Sequence, residues 1–385
     1  MSLRTEVAVP PALSARYGNS SAGRAWLSAL PGLVHGRLEH WELSVDLAAG
    51  ALPWHGHGGM VVPVRRKDRT PAALKIAFPH HEARVERHAL ELWGGAGAVR
   101  LLEADAGTCA MLLERLDPGC SLQGVPLAEA AVVWGGLMRQ LSLAPEETPG
   151  WQEFDHIAAR AEQWSDDLPA EWEQQGRPFP RWLLEAALEV CQVRGAVGRR
   201  SGRDVLVHTD FHFLNILARS ETTGVAGGGV ADGALAGGGV ADGAVADGAV
   251  ADGGVGGGGV MGDLVAGGIL GAGGRIFVAI DPQPMIGEPE FAVAPLLWNR
   301  LGDLPRENPA AGLLKRCRDF TAAAGLDAEA ARQWAVVREV DNALWYAASP
   351  DHQGDLARSL WVASTLAGDT LEGLPGAHEL PEPGT

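Results

Sequence analysis

The sequence predicts an α+β protein of two lobes, a small β-rich lobe followed by a larger, mainly helical one that carries a glycine-rich insertion. Three observations predict it. Residues 61–114 read strand, strand, helix, strand, strand; from residue 127 onward apolar residues recur mostly at helical spacing; and one tract, Thr222 to Gly274, follows neither period.

The first lobe opens on Val61-Val-Pro-Val64 and Ala73-Leu-Lys-Ile-Ala77, β-rich segments joined by the polar turn Arg65 to Thr70. His81 to Trp93 follows as a helix, with Val85, Ala89, Leu92 and Trp93 on one stripe and Gly94-Gly95 as its stop. Strands at 99–102 and 110–114 complete the lobe. The second lobe carries amphipathic stretches near 127–142, 151–167, 180–199, 309–324, 327–348 and 354–367, of which Leu127, Ala130, Trp134, Leu137, Met138 and Leu141 show the spacing. Two short strands interrupt them, Asp204 to His208 and Ile276 to Ile280, and each delivers a charged loop. The division is therefore an N-terminal extension over 1–22, an N-lobe over 23–115 and a C-lobe over 116–385, with the insertion at 222–274.

That insertion is almost entirely Gly, Ala, Val and Asp, with an apolar residue at every fifth position from Val225 to Leu270 and the recurring unit Val-Ala-Asp-Gly-Ala. Glycine-rich chain has much entropy to lose and little side chain to bury, so the tract is expected to be flexible, low-complexity sequence. Function is expected on either side of it.

Composition narrows the function. The chain has 385 residues, 46% hydrophobic and 21% charged, which is ordinary for a globular protein and excludes collagen, coiled coil and wholesale disorder. Its apolar runs fall short of the roughly 20 residues that cross a bilayer, and the N-terminus lacks a secretory pattern, so no membrane partner and a cytoplasmic location are expected. A net charge of −17 argues against a nucleic-acid partner and suits a cationic small molecule. Cys109, Cys120, Cys191 and Cys317 have no metal-binding spacing and read as reduced thiols. Lys67, Lys75 and Lys315 are the only lysines, so a lysine that is not an arginine stands out.

The chemistry lies in the two charged loops. His208-Thr-Asp-Phe-His-Phe-Leu-Asn215 places Asp210 and Asn215 at the spacing of a kinase catalytic loop, where the Asp accepts a hydroxyl proton and the Asn ligates a metal ion. Asp281-Pro-Gln-Pro comes straight off an apolar strand, as suits a carboxylate holding Mg²⁺ against phosphates. With the tract removed, one β-hairpin brings Asn215 and Asp281 to one metal, and a flexible loop of any length disturbs that pairing only slowly.

Taken with Ala73-Leu-Lys-Ile, Trp93-Gly-Gly-Ala-Gly-Ala-Val-Arg-Leu-Leu102, Leu112-Leu-Glu-Arg-Leu-Asp-Pro-Gly119, Asp281-Pro-Gln-Pro-Met-Ile-Gly-Glu-Pro289 and Ala294-Pro-Leu-Leu-Trp-Asn-Arg300, these loops make the chain resemble the aminoglycoside phosphotransferase family, in its streptomycin 6-phosphotransferase and hydroxyurea-type kinase branch. The resemblance runs from about Gly23 to Leu366, the tract excepted, and implies a two-lobed protein-kinase-like fold with ATP and Mg²⁺ as cofactors. It implies that Lys75 contacts the α- and β-phosphates, that Glu86 pairs with Lys75, that Asp210 is the catalytic base and that Asn215 and Asp281 bind Mg²⁺. Met111 to Leu116 would cradle adenine, with Leu113, Glu114 and Leu116 as nucleotide-binding residues. Two positions depart from the family's pattern: Ala292 stands where an Asp usually steadies the catalytic loop, and Thr209 replaces a usual glycine.

The implied activity is transfer of the γ-phosphoryl group of ATP to a hydroxyl of a small cationic acceptor, an aminoglycoside such as streptomycin, giving antibiotic resistance. The alternatives are a kinase-shaped binding protein and a kinase for a sugar or metabolite hydroxyl. His208 and His212 read as structural, His55 and His57 as surface-loop residues beside a glycine flap at 53–60, and Trp298, Trp334 and Trp345 as core. Glu288, Glu339 and Asp341 are candidates for binding a cationic substrate, with surface charge as the safer reading.

Overall fold

The computed structural model describes residues 7–56, 58–146, 150–195, 203–220, 264–265 and 267–383. The chain starts with helices α1 (Pro11–Tyr17) and α2 (Ser21–His40), then strands β1 (Ser44–Val45), β2 (Trp54–His55), β3 (Gly59–Arg65) and β4 (Pro71–Ala77), helix α3 (His81–Trp93), and strands β5 (Leu101–Asp105), β6 (Ala110–Glu114) and β7 (Leu116–Ser121). Helices α4 (Leu127–Leu141), α5 (Ile157–Gln174) and α6 (Arg181–Arg194) follow. Next come strands β8 (Val205–His208), β9 (Ile216–Arg219), β10 (Leu264–Val265), β11 (Gly268–Leu270), β12 (Ile276–Ala279) and β13 (Pro284–Gly287). Helices α7 (Ala294–Trp298), α8 (Pro309–Ala324), α9 (Ala328–Ala347) and α10 (Gln353–Ala367) close the fold.

Among the described residues the strands form three antiparallel sheets. The N-terminal one has the order β1-β3-β4-β6-β5 with β2 beside β3; the others are β10-β11-β12-β9-β7 and the pair β13-β8. Strand alternation sorts the first sheet into two faces. Met60, Val62, Val64, Ala72, Leu74, Ile76, Ala110 and Leu112 point to one side, where Val7, Leu13 and the α2 residues Trp26, Leu30 and Val34 cover them. The register pairs Val61 with Lys75 and Ala73 with Leu113, so these residues share the other face, toward the cleft. Lys75 is thus placed in the cleft by the same alternation that buries Leu74 and Ile76 behind it.

Helix α3 begins where the His80 side chain accepts a hydrogen bond from the Ala83 amide and ends at Gly94, in the left-handed conformation. Its buried stripe includes Val85, Glu86, Ala89, Leu90 and Trp93, and the one carboxylate in it is Glu86. The second lobe is built around α4, α8, α9 and α10, with Trp134, Phe320 and Trp334 among its fully buried side chains.

Several expected bounds shift. The strand expected at 99–102 runs Leu101–Asp105, since Ala98 bridges Ala279 of the other lobe and Val99 N–H donates to the Ala279 carbonyl. The stretch at 151–167 starts as a 3-10 turn, Trp151–Glu153, and becomes α-helical at Ile157; the described part of 180–199 is helical over Arg181–Arg194. The tract is not without regular structure throughout. Its last residues form the β10–β11 hairpin, which extends β12 as an added edge. Ile269 is what anchors it: the side chain is buried against α4 at Gly136, where a Cβ would lie 2.8 Å from its terminal carbon. The repeated Val-Ala-Asp-Gly-Ala units lie outside the described residues.

Candidate functional site

Two loops meet at the mouth of the cleft, and the backbone sews them together. His208 Nε2 donates to the Ile280 carbonyl at 3.0 Å, Ile280 N–H donates to the Asn215 carbonyl at 2.9 Å, and both the amide and the hydroxyl of Thr209 donate to the Gln283 carbonyl, at 3.0 and 2.8 Å. Thr209 is not among the residues at positive φ, so a side chain fits where the family has glycine, and here it adds a bond.

Within the first loop, Trp134 Nε1 donates to the Phe211 carbonyl at 3.0 Å and fixes the loop to α4. The Asn215 side-chain nitrogen donates to the carbonyl and to Oδ2 of Asp210, at 2.9 and 3.0 Å. That commitment of the amide nitrogen leaves the Asn215 side-chain oxygen for a cation. His212 accepts the Leu214 amide at 3.2 Å, which starts the turn that presents Asn215.

Across the cleft, Lys75 Nζ donates to both Glu86 oxygens, at 2.6 and 2.7 Å, and to Asp281 Oδ1 at 2.5 Å. Lys75 and Glu86 are 7% and 4% exposed, so each needs the other's charge. Burial alone would lower the Lys75 ammonium, but Asp281 and Glu86 together hold it above its ordinary value. Burial raises the Glu86 carboxyl to about 7 against the pull of Lys75. Asp281 is held below the usual carboxylate range, first by Lys75. It sits at φ 52°, a left-handed angle that Asp tolerates, and so turns off the end of β12. Gly56, just after β2, comes close to it: a Cβ there would lie 3.5 Å from Asp281 Oδ2.

The five polar residues expected in the site, Lys75, Glu86, Asp210, Asn215 and Asp281, are therefore brought together. They border two adjoining cavities. The first, of about 290 Å³, has apolar walls from Val61, Ala73, Val99, Leu113, Leu116 and Ile280, the shape and chemistry of a slot for a flat base. Glu114 also lines it, but its carboxylate is engaged by Arg219 at 3.0 Å and by the Arg100 amide at 2.8 Å, and its own amide donates to the Arg100 carbonyl at 2.9 Å. The second cavity, of about 600 Å³, contains Asp210 and is walled by Tyr17, Gln283, Trp298 and Tyr346. Asn215 and Asp281 line both.

For a metal ion the donors are the Asp281 carboxylate and the Asn215 amide oxygen. Among the described residues no group of three His, Cys, Asp or Glu side chains forms a metal cage. Two hard oxygens on the wall shared by both cavities fit Mg²⁺, which is commonly held by one or two protein oxygens with substrate phosphates completing the shell.

His208 supplies structure. Its ring is fully buried, its Nδ1 has no hydrogen-bond partner among the described residues, and burial, against the Ile280 contact, lowers it to about 4. The native imidazole is neutral while the unfolded chain takes up a proton near 6.5. Its contribution to stability is complete above that pH and fades as pH falls toward about 4, amounting to about 3 kcal/mol for a shift of this size. His208→Gln is expected to flatten the pH dependence of urea denaturation over that window; the parental slope in the variant would contradict this.

Other expectations need correction. Trp345 is 59% exposed instead of core, because it lies on the outer side of α9, against His352. Trp298 is half-buried and walls the second cavity. Glu339 is fully buried, with its carboxyl raised by burial to about 7 and accepting from Asn342 at 2.8 Å. Glu288 accepts from Arg194 and Trp334, both at 2.8 Å, and is a structural bridge. Burial also raises Asp341. Sequence reasoning passed over Tyr17 and Tyr346, although they are the only tyrosines in the chain and both line the Asp210 cavity.

Among the described residues no helix is long and apolar enough to cross a membrane. The sequence matches the family described as aminoglycoside/hydroxyurea antibiotic resistance kinase over residues 40–228 and 227–349. It is 29% identical to a streptomycin 6-kinase of Streptomyces glaucescens, covering 90% of this chain and 92% of the relative. It is 32% identical to a hydroxyurea phosphotransferase of Kitasatospora aureofaciens, covering 92% and 83%. A solved amicoumacin kinase shares the fold at a TM-score of 0.51 with 13% identity, covering 93% of this chain and 98% of that one. A choline kinase of Streptococcus pneumoniae does so at 0.51 with 11% identity, covering 88% and 99%. The matched family spans both lobes and both charged loops: the chain belongs to the aminoglycoside/hydroxyurea antibiotic resistance kinases.

Proposed function

We propose that this protein is a cytoplasmic phosphotransferase that moves the γ-phosphoryl group of ATP to a hydroxyl of a small cationic acceptor, streptomycin or a near relative. The observation that carries the reading is the convergence of Lys75, held by Glu86, with Asp210, Asn215 and Asp281 where an apolar slot opens into a polar cavity. The slot takes the adenine between Val61, Ala73 and Ile280, with the backbone of Glu114 to Leu116 along its edge. Lys75 faces the α- and β-phosphates. Asp281 and Asn215 would hold Mg²⁺, which neutralises phosphate charge and orients the γ-phosphoryl group. Asp210 accepts the acceptor's hydroxyl proton and keeps its oxygen in line with the leaving group. Positioning and electrostatics supply most of the rate.

A cationic acceptor is favoured by the second cavity, whose lining adds Glu82 and Asp210 to the Glu86 and Asp281 carboxylates that Lys75 engages, with Lys75 as its one lysine or arginine among the described residues. The streptomycin 6-kinase likeness points the same way. The test is incubation of the purified protein with Mg-ATP and, separately, streptomycin, hydroxyurea and a panel of amino sugars, reading acceptor mass. A gain of one phosphoryl group on streptomycin is expected. Nucleotide binding with no gain on any acceptor would contradict the proposal and favour a binding protein instead.

A further inference from the structure

We propose that Arg338 is a positioning residue of this site: its guanidinium fixes the carbonyl of Thr209, and so the peptide plane leading into Asp210, while holding Trp298, a wall of the acceptor cavity. The inference rests on the phosphotransferase reading for its kinetic consequence, though not for the contacts themselves. Arg338 lies on α9, and its Nη1 donates to the Thr209 carbonyl at 2.7 Å and to the Phe291 carbonyl at 3.4 Å. Its guanidinium carbon stands 4.7 Å from the centre of the Phe291 ring and 5.1 Å from that of Trp298. Phe291 is itself packed between Trp164 and Trp334. A planar cation stacked on two rings has few rotamers left, so its hydrogen bonds are aimed in advance.

The Thr209 carbonyl is where such aim has an effect. The amide and hydroxyl of Thr209 are already tied to Gln283, on the loop that carries Asp281. Arg338 secures the carbonyl on the other side of the same residue, so Thr209 is held through both peptide planes that flank it, the one before it by Gln283 and the one leading into Asp210 by Arg338. Ala292 is fully buried in the neighbouring turn, and its methyl group cannot hydrogen-bond, so Arg338 supplies the polar tie between that turn and the catalytic loop. Burial lowers the guanidinium only to about 10, which keeps it charged at neutral pH.

The experiment compares the parent with R338K and R338M by steady-state kinetics and by amide hydrogen exchange of the peptide spanning residues 205–212. R338M is expected to lower kcat by about 10–100-fold with the KM for ATP within about twofold, since a displacement of an ångström at a reacting group costs on that scale. R338K, which keeps the charge but not the stacked plane, recovers part of the loss. Both variants should exchange faster at 205–212 and not in β4. Parental kcat, or parental exchange at 205–212, overturns the proposal. If R338M does not fold, R338K alone decides by the same two readouts. If the parent transfers no phosphoryl group, the functional reading has failed, and hydrogen exchange still decides whether Arg338 holds the loop.

Discussion

Asp210→Ala is expected to lower phosphoryl transfer by about 10²–10⁴-fold while nucleotide affinity stays near the parental value, because a positioned base contributes on this scale to the chemical step and little to ground-state binding. Asp210 lines the larger, polar cavity and does not line the apolar slot. Its carboxylate also receives Asn215 Nδ2 at 3.0 Å, so removing it frees that amide to turn. Asp210→Asn is therefore the cleaner companion: it keeps the size and an acceptor oxygen for Asn215 but does not take the hydroxyl proton. Both variants should bind Mg-ATP, measured by titration calorimetry, and both should turn over slower by about 10²-fold or more. Parental turnover in either would remove Asp210 from the mechanism.

Lys75→Met is expected to raise the KM for Mg-ATP and to cut turnover by about 10²–10³-fold, the usual cost of deleting one preorganised electrostatic donor. It should also weaken the fold, since Glu86 and Asp281 lose the cation between them and a buried carboxylate stripped of its partner costs about 3–5 kcal/mol. Glu86 is already pushed up by burial, and without Lys75 it moves further up by taking a proton. A carboxyl raised above its unfolded value gives stability that is full at low pH and is lost as pH rises through the folded value. The variant should therefore denature more easily in mildly alkaline than in mildly acid solution, and more steeply with pH than the parent. A variant with parental stability at both, read by urea denaturation, would contradict the buried-pair account.

The polar centre was legible because its residues announce themselves locally. Lys75 is one of three lysines and stands between apolar neighbours in a strand, Asp210 and Asn215 share one short loop, and Asp281 follows an apolar strand. Glu86 came from the family resemblance, and the structure puts it on the buried stripe of α3 with Val85 and Ala89. What escaped depends on partners far away in the chain. Arg338 bonds a carbonyl 129 positions earlier, and nothing in the α9 pattern distinguishes it from a solvated helix charge. Tyr17 ends the short helix α1, in the stretch read as an N-terminal extension, and becomes part of a cavity wall only because α1 is brought to the mouth of the cleft. Glu339 and Trp345 exchange the faces expected of them, because α9 packs against α10 on the side that takes Glu339 inside. The end of the glycine tract forms strands for a similar reason: Ile269 finds an edge on β12 and a glycine on α4, neither of which a window along the sequence reveals.

The central claim, that one γ-phosphoryl group passes from ATP to an acceptor hydroxyl at the Asp210 end of this cleft, is tested most directly by following labelled γ-phosphate in a single turnover. Purified parent and Asp210→Asn protein would each be mixed with Mg²⁺, labelled ATP and streptomycin. Label appearing on streptomycin with the parent, and staying on ATP with the variant, is the result predicted. Label staying on ATP with the parent, for streptomycin and every other cationic acceptor offered, or reaching the acceptor equally with the variant, would contradict it.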